Sequence, residues 1–362
     1  MRSTSRATTA AAAVLALGLS VSACGAGNES SGSDSSSLSG KLDGAGSSAQ
    51  ESAMDAWRAG FQQDNTGVTV NYDPSGSGAG VEKFNAGGVD FAGSDAALDA
   101  EKGEVDAAKK NCGDDAIEIP NYVSPIAVVF NVEGVDKLRL SPETIAALFD
   151  GKITSWDDAA IKADNPDAEL PATKVDPVHR SDESGTTKNF TDYLEKASGG
   201  AWKHPSDKVW PIKSGEGANQ TSGMISAVKG GKGTIGYADL SQVGDLSTAS
   251  IKVGEQWVEP SAEGAATALE SSPLEDGRPA NSMAVAIDRT TTEEGAYPLM
   301  LTSYLIACPT YDKDKAKLVK GFLSYVVSDA GQKEAADNAG SAPIPASFAE
   351  KAKKIVDSIT AK

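Results

Sequence analysis

Residues 179–190 read HRSDESGTTKNF and concentrate hydrogen-bond donors of several kinds in one short stretch. A strand pattern, KVDPVHR, runs into it. An inward stripe of Phe190, Tyr193, Leu194 and Ala197 follows, so the Ser184-Gly185-Thr186 step falls at the start of a helix. A helix start presents unpaired backbone N–H groups at the positive end of the helix dipole, an environment suited to an anion. Ser184 and Thr186 add hydroxyl donors, and Gly185, lacking a Cβ, lets backbone approach a ligand closely. Arg180 offers a planar fork that matches paired oxygens of phosphate or carboxylate, and Asp182 is spaced to orient it. The same residues also fit an ordinary Ser-capped helix with a surface Arg–Asp pair, and the local pattern leaves both readings open.

Around this stretch the chain reads as alternating strands and helices. KLDGAG predicts a strand, residues 49–64 a helix with Ala53, Trp57 and Phe61 at helical spacing, and VTVNYD a second strand, together a βαβ unit. Ser48 followed by Glu51 fits a capping box for that helix. Then come the glycine-rich turn PSGSGAG, a short helix through Phe84, a strand VDFAGSD ending at Asp95, and a charged helix over about 98–110. Ser48, Ser77 and Asp95 thus sit at three strand ends, where open α/β sheets place their ligands, and are expected to converge on one crevice. Further along, YVSPIAVVFNV, GTIGYADL and YPLMLTSYLIA predict strands. LSPETIAALFDG predicts a helix with Ser141 as cap, Pro142 in its first turn and Gly151 as stop. Helices are expected over 312–327 and 346–359.

The N-terminus and the cysteines indicate a compartment. Arg2 and Arg6 precede an apolar run too short to span a bilayer, and VSAC places Cys24 after small residues. Residues 1–23 therefore read as a secretory signal resembling a bacterial lipoprotein leader, with a diacylglycerol thioether expected on Cys24. Residues 24–39 follow as a lipidated cysteine and a Gly/Ser-rich flexible tether. The chain is thus expected to be exported and lipid-anchored to the outer face of the bacterial cytoplasmic membrane. With Cys24 lipidated, Cys112 and Cys308 form an even pair in an oxidising setting and are expected to bond, the alternative being two buried thiols. The chain has 362 residues, enough for about two domains. Its net charge is −18, which argues against a nucleic-acid partner and against adhesion to anionic membranes through basic patches.

Two enzyme-like patterns compete with anion capture. Residues 44–49, GAGSSA, meet the loose G-x-G-x-x-A dinucleotide pattern, with Asp73 ending the next strand, but a nicotinamide cofactor is scarce outside the membrane. PSGSGAG looks like a nucleophile turn, yet Ser75 stands where G-x-S-x-G needs its first glycine. The only histidines are His179 and His204, and His179 reads as a packed or surface side chain rather than a base. No clustered His/Cys set suggests a metal site, and no cofactor is expected. The alternatives kept beside anion capture are an extracellular phosphatase or serine hydrolase, and an adhesive surface lipoprotein.

The motifs GAGSS, GSGAG, VDFAGSD, GKITSWDDAAI, HRSDESGTTKNF, WPIKSGEGANQ and GTIGYADL, in this order across nearly all of 40–362, resemble the phosphate-binding lipoproteins of the Pst-type ABC transporter. The resemblance implies a two-lobed α/β periplasmic-binding-protein fold of type II. Each lobe would be a mixed sheet flanked by helices, with residues 40–123 and 301–362 in lobe I and 124–300 in lobe II. Two crossover strands, about 121–126 and 297–302, would join them. It implies a non-enzymatic protein that closes on one inorganic phosphate and presents it to the transporter's permease. The implied ligand residues are Ser48, Ser77 and Asp95 in the first lobe and Arg180, Ser184, Gly185 and Thr186 in the second, with Asp182 pairing Arg180. Ser48 stands where that family frequently has threonine, and PSGSGAG where it frequently has a Ser-Ser-Gly-Gly loop; hydroxyls remain at both places.

Overall fold

Leu42 and Ala45 of β1 (Ser39–Gly46) and Val68 and Val70 of β2 (Gly67–Asp73) are buried, and α1 (Glu51–Asp64) lies between these strands in the chain. That helix buries Ala53, Met54, Trp57 and Phe61, one stripe at helical spacing. β1 and β2 pair in parallel, which requires such a crossover helix. α2 (Ser77–Asn85) leads to β3 (Phe91–Ser94), parallel to β1 on its other edge. The loops after β1, β2 and β3 therefore leave from one side of the sheet, carrying Ser48, Ser77 and Asp95. The computed structural model describes residues 38–362, so the predicted leader, Cys24 and nearly all of the tether lie outside the described residues.

α3 (Glu104–Cys112) starts later than its charge pattern suggests. Gly103 precedes it with φ of 75°, a left-handed residue that a helix continuing from 98 could not contain, and the Leu98 N–H donates to the Glu118 carboxylate at 2.6 Å. β4 (Ile117–Asn131) then runs for 15 residues through both halves of the molecule. It pairs with β11 (Met300–Ala307) as far as Pro125 and with β8 (Thr234–Asp239) from Ile126 onward, both antiparallel. Proline cannot donate to a sheet ladder and is confined to edges and irregularities. Here Pro125 stands at the handover between partners, and Pro120 faces a register shift at Ser303/Tyr304.

The second half is built from β5 (Leu138–Leu140), α4 (Pro142–Phe149), α5 (Ala159–Asp164), β6 (Asp176–Arg180), α6 (Gly185–Ala197), β7 (Glu216–Ala218) and α7 (Gln220–Gly230). β9 (Ser247–Val253), β10 (Gln256–Val258) and α8 (Ala262–Glu270) complete it after β8. Ser141 caps α4 with Pro142 in the first turn, as its sequence predicts. The principal path through the sheet runs β2-β1-β3-β11-β4-β8-β6-β7, with β9 also on β4. The expected mixed α/β architecture is what forms. Phe149, Phe190, Trp210 and Tyr237 pack the second half as an aromatic cluster, Phe190 and Tyr237 stacking at 4.1 Å.

The chain ends on the first half with β12 (Thr310–Tyr311), α9 (Lys313–Val326), α10 (Asp329–Ala339), α11 (Ala346–Asp357) and β13 (Thr360–Ala361). The sequence reading omits α10. Its buried face is Gly331, Gln332, Ala335 and Ala339, so no large apolar stripe marks it, and it docks through a hydrogen bond of 2.7 Å from the Trp57 indole to the Gly331 carbonyl.

A disulfide joins Cys112 at the end of α3 to Cys308 just beyond β11, closing a loop with a sequence separation of 196. Constraining so long a loop in the unfolded chain is worth about 5 kcal/mol on entropy alone. Scanning calorimetry with reductant, or on the Cys112→Ser/Cys308→Ser variant, should therefore show melting lower by on the order of 10 °C.

Candidate anion-binding site

Arg180 is the last residue of β6 and is only 3% exposed, so the reading of a surface Arg–Asp pair does not hold. Its Nε donates to Asp182 Oδ1 at 2.7 Å, and its Nη2 donates both to Asp182 Oδ2 and, at 3.3 Å, to Ser48 Oγ of the other half. Asp182 also accepts the Gln220 backbone N–H at 2.9 Å. Burial would raise the Asp182 carboxyl, but the hydrogen bonds and charge of Arg180 hold it below its ordinary range. Gln220 has a φ of 61°, the only positive value for a non-glycine among the described residues, so this contact is bought with backbone strain. Ser184 caps α6, its Oγ accepting the Thr187 N–H at 3.1 Å, and Gly185 and Thr186 form the helix's first turn.

From the first half, Asp95 enters directly beyond β3 and is 2% exposed. Ser303 donates to its Oδ1 at 2.7 Å, and Thr186 and Ser77 donate to its Oδ2 at 3.1 and 3.4 Å. Burial pushes the Asp95 carboxyl up, against the pull of the Ser47, Ser303 and Thr186 hydroxyls and the Arg180 charge. Ser48 does not form the expected capping box. α1 begins at Glu51 behind Gln50, too far along for Ser48 to reach its first N–H groups, and the Ser48 hydroxyl turns across the cleft. There it accepts the Thr221 N–H at 3.1 Å and lies 3.0 Å from Thr221 Oγ1. Gly46, in the GAGSSA turn, has a φ of 150°, and a Cβ there would lie 1.9 Å from the Gly93 carbonyl oxygen. The glycine pattern thus serves strand packing, and Asp73 is paired with Lys83.

All of the sequence-predicted residues meet within this one junction. Gly185 is one of its tight points: an added Cβ would lie 2.7 Å from Ser77 Oγ, 2.9 Å from Asp95 Cβ and 3.0 Å from Asp95 N, and one at Gly78 would lie 2.3 Å from Glu183 Cβ. The close approach that Gly185 permits is therefore to the opposite half of the protein. Gly78 N–H donates to the Glu183 carbonyl at 3.0 Å, and Lys188–Asp99, Lys102–Asp207 and Lys208–Glu104 pairs span the rim at 2.9, 2.7 and 2.6 Å.

Sequence reading missed Thr221, Asn189 and Ser303. Thr221 follows a short strand and opens a helix, the same signal that marked Ser184, so it was findable. Asn189 sits one turn into α6, where its amide donates at 2.5 Å to the Asp95 carbonyl, and Ser303 lies inside a strand; neither leaves a local signature. His179 is stacked on Trp210 at 5.1 Å and its Nδ1 lies 2.9 Å from the Arg180 carbonyl, a packed side chain as expected. Among the described residues no cluster of His, Cys, Asp and Glu has the arrangement of a metal site. Chemically, the junction offers neutral hydroxyls, a helix start and one guanidinium as donors, and a single carboxylate as acceptor, a set suited to an oxyanion that still carries a proton.

A family model described as a PBP superfamily domain matches residues 31–330. The phosphate-binding protein PstS 3 of Mycobacterium leprae is 37% identical over 356 aligned residues, which cover 94% of this chain and 95% of that one. Phosphate-binding protein PstS2 of Mycobacterium bovis is 34% identical over 365, covering 97% and 98%. The solved structure of a high-affinity periplasmic phosphate-binding protein bound with phosphate superposes with a TM-score of 0.72 at 19% identity, over 87% of this chain and 93% of that one, a likeness of fold.

Two substitutions test the junction by calorimetric titration with inorganic phosphate. Arg180→Lys keeps the charge and loses the fork, and should weaken oxyanion binding by about 1.5 to 3 kcal/mol. Gly185→Val should lower affinity at least about tenfold by wedging the halves apart.

Proposed function

Because this chain belongs to the PstS family of phosphate-binding proteins, within the PBP superfamily, we propose that it captures inorganic phosphate outside the cytoplasm and hands it to the permease of an ABC transporter for import. Phosphate sits between the halves, held by Ser48, Ser77, Arg180, Ser184, Gly185 and Thr186 and screened by Asp95, with Asp182 orienting Arg180. Residues 40–123 and 301–362 act as one lobe and 124–300 as the other. Closure of the lobes is the signal the permease reads, a population shift driven by tighter binding to the closed form. The lipid on Cys24 and the tether after it keep the protein at the outer face of the membrane. No step alters the ligand chemically, and the protein acts as a receptor rather than an enzyme.

The observation that carries this reading is the placement of Asp95. An acid buried among donors repels any fully ionised anion unless the anion brings a proton of its own. Phosphate near neutral pH has a P–OH group and sulfate has none. The three-way test incubates the purified protein with radiolabelled phosphate and with a phosphomonoester. Retention of phosphate without ester turnover supports the receptor, turnover supports the hydrolase, and neither supports an adhesive role.

Selectivity gives a sharper check. Sulfate forfeits a charge-assisted hydrogen bond worth about 1.5 to 3 kcal/mol and adds acceptor–acceptor repulsion, so discrimination at pH 7 should exceed roughly a thousandfold. In Asp95→Asn the amide can donate as well as accept, and competition titrations should show sulfate rejection reduced by at least about tenfold.

A further inference from the structure

Ser303 contributes to the junction from an unexpected place, the interior of β11, where it is fully buried. β11 pairs with β3 as Tyr304 opposite Ser94, so one step further along the same register brings Ser303 opposite Asp95. On its other edge the register breaks at the same spot: Ser303 faces Tyr122, Tyr304 faces Pro120, and Asn121 of β4 has no opposite number. Such a bulge re-aims the residues beside it. The unpaired Asn121 is held independently, its amide donating at 2.8 Å to the Gln50 side chain and its carbonyl accepting at 3.0 Å from Gln332. The irregularity is thus pinned, and the Ser303 hydroxyl is directed at Asp95 Oδ1 at 2.7 Å.

The two Asp95 oxygens differ as a result. Oδ1 has a short contact from the same half of the protein, whereas Oδ2 has only longer ones, 3.1 Å from Thr186 and 3.4 Å from Ser77. We propose that Ser303 is a positioning residue for oxyanion selection: it occupies Oδ1 so that Oδ2 alone faces the bound anion and demands a proton from it. This rests on the phosphate reading and deepens it. An ionised carboxylate can only accept, so the serine must donate, and that donation favours the ionised form that excludes sulfate. The charged or titratable groups facing Asp95 are the Arg180 guanidinium from β6 and the Tyr72 phenol from β2. Its other neighbours, Ser47 beyond β1, Ser77 of α2 and Thr186 and Asn189 of α6, are neutral, and the Ser47 hydroxyl also favours the ionised form. Arg180 already favours the ionised form; Ser303 adds to it from the opposite side.

Loss of the hydroxyl lets burial raise the Asp95 carboxyl further, so the acid takes up its proton at a higher pH and becomes a donor that sulfate can use. The test is a cycle of Ser303→Ala, Asp95→Asn and the double variant, each titrated with phosphate and with sulfate from pH 5 to 8, alongside thermal melts. Ser303→Ala should cut phosphate-over-sulfate discrimination about tenfold at pH 7 and move the onset of sulfate binding to higher pH. In the Asp95→Asn background the same change should alter discrimination less than about twofold, because its target has gone. Ser303→Thr, which keeps the hydroxyl, should retain rejection of sulfate. If Ser303→Ala does not fold, Ser303→Cys, similar in size with a weaker donor, takes its place in the cycle. Unchanged discrimination in the Ser303 variant, or an equal loss in both backgrounds, overturns the inference. Failure of the unaltered protein to retain phosphate overturns the proposed function instead.

Discussion

A guanidinium removed from water must have acceptors, and Arg180 is buried. It cannot shed its charge by giving up a proton, so the surrounding structure has to supply oxygens in the geometry of its fork. One edge of the fork goes to Asp182, which is fixed in turn by the strained Gln220 backbone. The Nη2 of that edge also reaches across the cleft to Ser48. The second half therefore carries a buried cation satisfied on one side only by its own residues, and the rest of the junction follows from completing it.

That completion requires the two halves to meet with little tolerance, and the chain path provides for it. β4 crosses between them as one strand, with prolines only where a ladder hydrogen bond is already lost, and β11 returns beside it. Both strands carry site architecture: Ser303 lies on β11, and the Asn121 bulge on β4 aims it. The strands that connect the halves thus also position a residue at the site.

A protein with net charge −18 that captures anions needs a local field opposed to its bulk one. Hydroxyls, a helix start and one compensated arginine provide it without adding net positive charge, and they act strongly because water is excluded. Burying one further acid among them costs affinity for every anion. It costs least for an anion that brings its own proton, so selectivity is obtained at the expense of some binding strength.

Local pattern was enough to identify the strand ends, the helix start at Ser184, the Arg180–Asp182 spacing and the cysteine pair, because each depends on residues within a turn or two of one another. It anticipated Ser48 in the cleft but also gave its hydroxyl a capping role at α1, where that hydroxyl is instead used by a partner 173 residues away. It missed α10, whose small-residue face carries no hydrophobic period, and the late start of α3, which the left-handed Gly103 sets. The sequence by itself determined which groups could hold an oxyanion and that they lie at the ends of strands. Only the tertiary structure decided that Gly185 is small because Asp95 and Ser77 press against it, and that Ser303 belongs to the site. Those facts arise from the register between β11, β3 and β4, and register is fixed by packing across the whole sheet rather than by the residues on either side of a position.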